Sequence, residues 1–393
     1  MLDGGAKNLD RVAYFDNAAT TFPKPEEVYA FTDRFYRECG VSVGRGQYKL
    51  AGKAASMIDE TRGMLLSLNH CRDKRVVFTH TATEALNIII RGVPLGSSSN
   101  VYVSPFEHNA VLRTLHDMVD SVGIHVSTLA FDKEKGVYDL ERIKYQFAEC
   151  RPNLMVISHA SNVCGILAPI SEIFQLSKRF GATTVVDMCQ TMGLVDTDLG
   201  DPAIDYAVFA GHKTLYAPFG VAGFICAADS KLRPLLFGGT GIDSASHAMP
   251  ETIPERFEAG SLNTMSIAGL NASLKWLQWI GIDAVFEAEK KHHLRLLNLL
   301  KQHENIKIVS PMQGVNSIGV VSCVFDGYSS DSIGRILSDK DVAVRAGLHC
   351  APDAHRLFGT FPSGTIRFSV GYFNTDEDFG ILEDALEYID ENS

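Results

Sequence analysis

The feature that most constrains the fold of this 393-residue chain is an alternation. Short apolar, β-branched runs take turns with longer stretches of helical periodicity, a rhythm that specifies a mainly parallel sheet covered by helices. The runs Arg75–Thr79, Asn100–Val103, Leu154–His159, Thr184–Asp187, Tyr206–Ala210 and Gly223–Cys226 are the predicted strands. Several end at polar residues. Ligands of open α/β sheets bind beyond the carboxyl ends of the strands, so functional side chains are expected in the loops that follow these runs.

The chain is longer than one hydrophobic core usually serves, which favours two domains. After a Gly-, Ser- and Pro-rich stretch without periodicity, Phe237–Pro254, the segment Ser266–Ile280 is helical in pattern. Strand-like Gly319–Phe325 and Thr365–Ser369, set among helical patterns at Asp331–Ser338 and Asp376–Ile389, predict a smaller α+β domain. A net charge of -11 argues against nucleic acid or an anionic membrane as partner and favours small-molecule chemistry. The N-terminus lacks a signal-peptide pattern and no apolar run is long enough to span a bilayer, so a cytoplasmic location is expected. Eight cysteines are scattered without a Cys-x-x-Cys pair, so no metal site is expected and most should be reduced, buried and inert.

Chemistry concentrates at the strand ends. Val185-Val186-Asp187 places a carboxylate at the end of an apolar strand, where it needs a cation or serves as the N-cap of a helix. A second apolar run leads into Gly211-His212-Lys213. That lysine is either solvated or held deep enough to lose its proton and act as a nucleophile. Thr81-Ala82-Thr83-Glu84 follows a strand and opens an apolar helix, which suits a capping box and equally an anion on free backbone N–H groups. Glu107-His108-Asn109 supplies an imidazole that is either structural or free to stack on a ring. A lysine, an acid partner, phosphate donors and a stacking group together are what a pyridoxal 5'-phosphate (PLP) site requires.

These residues resemble, almost end to end, the class V aminotransferase family of fold-type I PLP enzymes, and within it the cysteine desulfurase and selenocysteine lyase branch. The resemblance is carried by Tyr14-Phe15-Asp16-Asn17-Ala18-Ala19-Thr20, Ala82-Thr83-Glu84, Glu107-His108-Asn109 and Ser158-His159-Ala160-Ser161-Asn162-Val163. It continues through Val186-Asp187-Met188-Cys189-Gln190, Ala210-Gly211-His212-Lys213, Arg256–Ser261, Val344–Ala351 and Gly364-Thr365-Ile366-Arg367. The resemblance implies a large PLP-binding domain (21–264) with a mainly parallel seven-stranded sheet, and a small α+β domain (1–20 with 265–393). It implies Lys213 as Schiff-base lysine, Asp187 against the pyridine nitrogen, Gln190 at the ring hydroxyl and His108 stacked on the ring. Ala82, Thr83 and His212 would hold the phosphate, and Ser261 would reach the phosphate of a neighbouring subunit in a homodimer. Arg367 would clamp the substrate carboxylate through its planar fork, assisted by Asn162 and with Arg345 nearby.

Cys350 decides which reaction is implied. In a desulfurase this thiolate takes the sulfur of L-cysteine as a persulfide, and Arg345 and His349 close by in sequence are expected to favour it. The short Leu348–Pro352 stretch is similar to the compact desulfurase subgroup, whose cysteine is expected to need a docked sulfur-acceptor protein. Ala210 stands where such enzymes usually carry serine, so Thr81 or a backbone group must compensate; Tyr48, in the loop from Gly44, and Leu348 replace frequent histidines. Selenocysteine lyase or transaminase activity, and a non-catalytic scaffold, are the alternatives.

Overall fold

The computed structural model describes residues 11–43, 46, 48–242, 245–309 and 316–392; Gly44, Arg45 and Gln47 of the loop before Tyr48 lie outside them. Its centre is a seven-stranded sheet of β1 (Arg75–Thr79), β2 (Asn100–Val103), β3 (His125–Thr128), β4 (Leu154–Ser158), β5 (Thr183–Asp187), β6 (Tyr206–Ala210) and β7 (Ala222–Cys226). The strands lie in the order β1-β7-β6-β5-β4-β2-β3. All neighbouring pairs from β6 to β3 are parallel, while β7 is antiparallel to both β6 and β1. Six strands therefore point their carboxyl ends to the same edge.

Every residue of β4, β6 and β7 is buried, because helices cover both faces. Side chains alternate between two cores. Met155, Ile157, Val186 and Phe209 join one, and Leu154, Val156, Val185 and Val208 join the other. This period of two makes the register rigid, since a slip by one residue would exchange the faces. The predicted strands all form, and β3 is an addition. Its side chains are mostly exposed at the sheet edge, so it carries none of the apolar signal that marks its neighbours.

The predicted helix near residue 266 spans Thr264–Ile280 and packs into the first core through Ile267, Leu270 and Leu274. A four-stranded antiparallel sheet follows, of β8 (Ile306–Ile308), β9 (Val320–Phe325), β10 (Arg345–Gly347) and β11 (Thr365–Ser369), in the order β8-β9-β11-β10. Its core draws on Leu296, Val321, Phe368 and Leu382, and on Ala13 and Phe15 from the start of the chain. The N-terminal strand Ala13–Tyr14 pairs in parallel with Val342–Ala343, so residue 16 is delivered beside β11.

Glu289, on the helix Ile282–Leu300, is fully buried and accepts the Gly319 N–H at 2.8 Å. Burial outweighs that bond and lifts its carboxyl to about 7. The folded state thus keeps a proton that the unfolded chain loses near pH 4.5. Stability conferred by the neutral carboxyl is complete below that pH and is lost as pH rises toward 7. We expect Glu289→Gln to become more stable than the parent across this window, by about 3 kcal/mol at its upper end. Urea unfolding of both proteins at pH 4.5, 6 and 7.5 checks this, and a pH-independent difference contradicts it.

Candidate active site

Beyond the carboxyl edge of the main sheet lies a cavity of about 320 Å³. The turns after β1, β2, β4, β5 and β6 bring to it Thr83, His108, Asn162, Asp187 and Lys213, and the small sheet closes it with Arg345, Cys350 and Arg367. Eleven of the twelve side chains expected at a site line this space: Ala82, Gln190 and His212 are the remaining three. Ser261 does not. It is exposed, in a separate narrow crevice beside His80 and Glu84.

Each strand end prepares its residue for a specific kind of contact. Asp187 Oδ1 accepts the Cys189 N–H at 2.9 Å, which closes a turn and caps no helix. The N-cap alternative for Asp187 therefore falls. His108 caps helix α2 (Asn109–Val122), its Nδ1 accepting the Ala110 N–H at 3.0 Å. An accepting Nδ1 places the ring proton on Nε2, and burial together with nearby Lys213 lowers the histidine's affinity for a second proton. The result is a neutral imidazole, suited to stacking. Structural and functional readings of His108 thus hold together.

At helix α1 (Ala82–Gly92), Thr81 Oγ1 accepts the Glu84 N–H while Glu84 Oε2 takes the N–H of His80. The box is shifted by one residue. It leaves the amides of Ala82 and Thr83 in the first turn, where backbone N–H groups have no acceptor within the helix. Ala82 and Thr83 line the cavity together with Thr81, the side chain expected to compensate for Ala210.

Lys213 and His212 form the other wall. Among the described residues, Lys213 has neither a hydrogen-bond nor an ion-pair partner for its amine. His212 stacks on Phe219, with ring centroids 4.5 Å apart, and its Nδ1 is buried without a partner. Burial, Lys213 and Lys24 depress this imidazole to about 3, so it stays neutral. Gln190 Nε2 is committed to the Ala18 carbonyl at 2.9 Å. A free amine, a carboxylate, a neutral ring and an orphaned ring nitrogen beside helix amides fit a planar pyridine aldehyde that carries a phosphate.

Arg345 and Arg367 are direct partners across the antiparallel pair β10 and β11, so both guanidiniums share one face of the small sheet. Arg367 is 1 % exposed. Its Nη2 bonds Asp16 Oδ1 at 2.6 Å, its Nη1 donates to the Asn162 carbonyl at 3.1 Å, and its Nε is buried without an acceptor. Arg345 has no ion-pair partner among the described residues. Its Nη2 stands 4.0 Å from Cys350 Sγ. Two guanidiniums against one carboxylate leave a net positive charge at the cavity.

Cys350 is half-buried, whereas the other cavity-lining cysteine, Cys189, is buried with its thiol held well above its ordinary value by burial and by Asp187. Cys350 is thus the available nucleophile. One expectation fails here. Burial and the neighbouring Arg367 push His349 down to about 2, so it is neutral and lends no positive charge to Cys350. Arg345 is the cation at hand, and α2 adds its positive end, since the first helical amide, Asn109 N–H, donates to the Cys350 carbonyl at 2.7 Å.

Three contributors carried no assigned role in the sequence. Asp16 was visible only as part of a motif, though a buried arginine always calls for a carboxylate. Glu107 is fully buried, accepts from the Ser104 hydroxyl and the Ser158 N–H and hydroxyl, and is lifted by burial to about 7. It ties the His108 turn to the end of β4. Lys24 donates to the Thr21 hydroxyl and the His212 carbonyl, bracing the peptide that carries Lys213.

A comparison with known families now bears on this geometry: residues 13–382 match the aminotransferase class-V model. The chain belongs to that family. The family uses PLP. Cysteine desulfurase homologues match over nearly the full length of the chain. A probable cysteine desulfurase of Methanothermobacter thermautotrophicus is 30% identical over 96% of this chain and 94% of its own. One of Haemophilus influenzae is 31% identical over 97% of this chain and 87% of its own. Among solved structures, the apo cysteine desulfurase of Thermococcus onnurineus superposes with a TM-score of 0.87 at 26% identity, covering 96% of this chain and 95% of that one. The described residues contain no cluster placed to hold a metal ion and no helix long and apolar enough to cross a membrane.

Removing the counter-charge of Arg367 should be costly. Asp16→Ala leaves a buried guanidinium uncompensated, and we expect a loss of about 3 kcal/mol at pH 7. Asp16→Asn, which keeps an acceptor, should lose less. Urea unfolding without cofactor measures both, and a loss under about 1 kcal/mol for Asp16→Ala contradicts the assignment.

Proposed function

We propose that the chain is a PLP-dependent cysteine desulfurase that converts L-cysteine to L-alanine and takes up the sulfur on Cys350 as a persulfide. The observation that carries this reading is the convergence of Lys213, Arg367 and Cys350, from three separate parts of the chain, on one cavity. Lys213 would anchor PLP, with Asp187 at the ring nitrogen, His108 over the ring, Gln190 at the ring hydroxyl, and Ala82, Thr83 and His212 at the phosphate. When bound, PLP supplies a conjugated electron sink for negative charge at the substrate Cα.

This chain's own residues do the rest. Arg367 holds the substrate carboxylate through the edge of its guanidinium that Asp16 leaves open, which fixes Cα relative to Lys213. The Lys213 amine removes and returns the Cα proton. Cys350 Sγ bonds the substrate sulfur as the Cβ–S bond breaks, and the electron pair of that bond stays with the three-carbon fragment, which takes up protons to leave as alanine. Arg345 stands beside the sulfur that carries the developing charge. A homodimer in which Ser261 completes the neighbouring phosphate site, a cytoplasmic location and a docked sulfur-acceptor protein belong to the same proposal.

Incubation of purified protein with L-cysteine should add one sulfur to the peptide containing Cys350, detected by mass. Cys350→Ala should abolish sulfur release from cysteine while retaining the visible absorbance of bound cofactor. Full sulfur release by that variant sinks the reading. Turnover of selenocysteine by Cys350→Ala, with little turnover of cysteine, would instead identify a selenocysteine lyase.

A further inference from the structure

The turn that presents Cys350 has an unusual backbone. His349 and Cys350 have φ of 48° and 58°, two consecutive non-glycine residues in the left-handed region, after Gly347 at 102°. L-residues rarely adopt this conformation, and it persists only where the surroundings enforce it. Gly364 presses against the turn so closely that a Cβ there would lie 2.4 Å from the Gly347 carbonyl carbon.

Three contacts from outside the turn hold it. The Asn109 N–H donates to the Cys350 carbonyl at 2.7 Å, the Thr365 hydroxyl meets His349 Nε2 at 2.8 Å, and Asn162 Nδ2 donates to the His349 carbonyl at 2.7 Å. Of the three residues that make these contacts from outside the turn, Asn109, Thr365 and Asn162, only Asn162 lines the cavity. Its backbone carbonyl also accepts from Arg367 Nη1. One residue therefore grips both the arginine with the vacant, buried Nε and the turn that carries the nucleophile.

We propose that Asn162 is a positioning residue that tethers the Cys350 turn and slackens it when a ligand carboxylate settles on Arg367. A carboxylate is a stronger acceptor than a peptide carbonyl, since charge-assisted hydrogen bonds are about twice as strong as neutral ones. Once such an oxygen lies beside Arg367, it draws on the second N–H of the Asn162 amide, and turning that amide toward the carboxylate pulls the first N–H out of line with the His349 carbonyl. The left-handed pair is then held by two contacts instead of three. Cys350 gains freedom to move only when a substrate is in place to receive it. This rests on the proposed reading of Arg367 as the carboxylate site, and it does not require that sulfur be transferred.

Hydrogen–deuterium exchange of the holoenzyme tests the tether, with L-alanine as a probe that brings a carboxylate and no sulfur. In the parent protein, saturating L-alanine should speed exchange in the peptide spanning residues 345–352 about fivefold. In Asn162→Ala the same peptide should exchange that fast without L-alanine and respond no further, while the peptide covering 264–280 stays unchanged. Asn162→Asp, the same size without an amide donor, should reproduce this behaviour and serves if the alanine variant folds poorly. A parent turn that is unaffected or protected by L-alanine overturns the proposal, as does an Asn162→Asp turn that still responds. Failure of the desulfurase reading shows separately, as sulfur release retained by Cys350→Ala.

Discussion

Arg345 and Arg367 stand opposite one another across an antiparallel strand pair, and directly opposed like charges destabilise a sheet unless something negative lies with them. Asp16 supplies one negative charge, and it reaches Arg367 because the strand Ala13–Tyr14 runs beside Val342–Ala343. The remaining positive charge faces the cavity. A substrate carboxylate and a sulfur acquiring charge are the two anions the proposed reaction brings there. The start of the chain, the small sheet and the cavity wall thus depend on one balance of charge.

The histidines of the cavity follow the contrary rule. His108, His212 and His349 all face the cavity, and burial lowers the affinity of each for a proton. Additional imidazolium charges would crowd Lys213 and the two arginines. Neutral rings instead offer stacking surface and single hydrogen bonds. The ionic groups at the cavity are consequently few and separated: Lys213 and Asp187 at the end of the main sheet, the arginines on the small one. In the proposed reading, that separation would let one wall hold the cofactor while the other takes the substrate.

Much of this was legible in the sequence because strands buried on both faces have to be written as apolar runs, and their last residues fall where parallel topology puts a site. Asp187, Lys213 and His108 are found this way. The exposed edge strand β3 was missed because nothing buries it. Residues that act through another residue also left no local signal. Asp16 gains its meaning from an arginine 351 positions away, and Asn162 from a carbonyl 187 positions away. His349 shows the reverse error. Proximity in sequence to Cys350 suggested a helpful cation, but folding sends its ring against Thr365 and strips it of water, so only Arg345 fills that role.

Cys350 is mounted more firmly than a cysteine that must travel would be. Its carbonyl is fixed to the first amide of α2, next to the histidine that would cover the cofactor ring, and its turn is pinned from β11 and from the end of β4. While the Asn109 and Thr365 contacts hold, the sulfur stays close to the cavity, whether or not the Asn162 bond is made. In the proposed reaction, a sulfur acceptor would then have to come to the protein. The short turn trades reach for a defined position beside Arg345, which is the arrangement a docked acceptor in the proposed reaction would require.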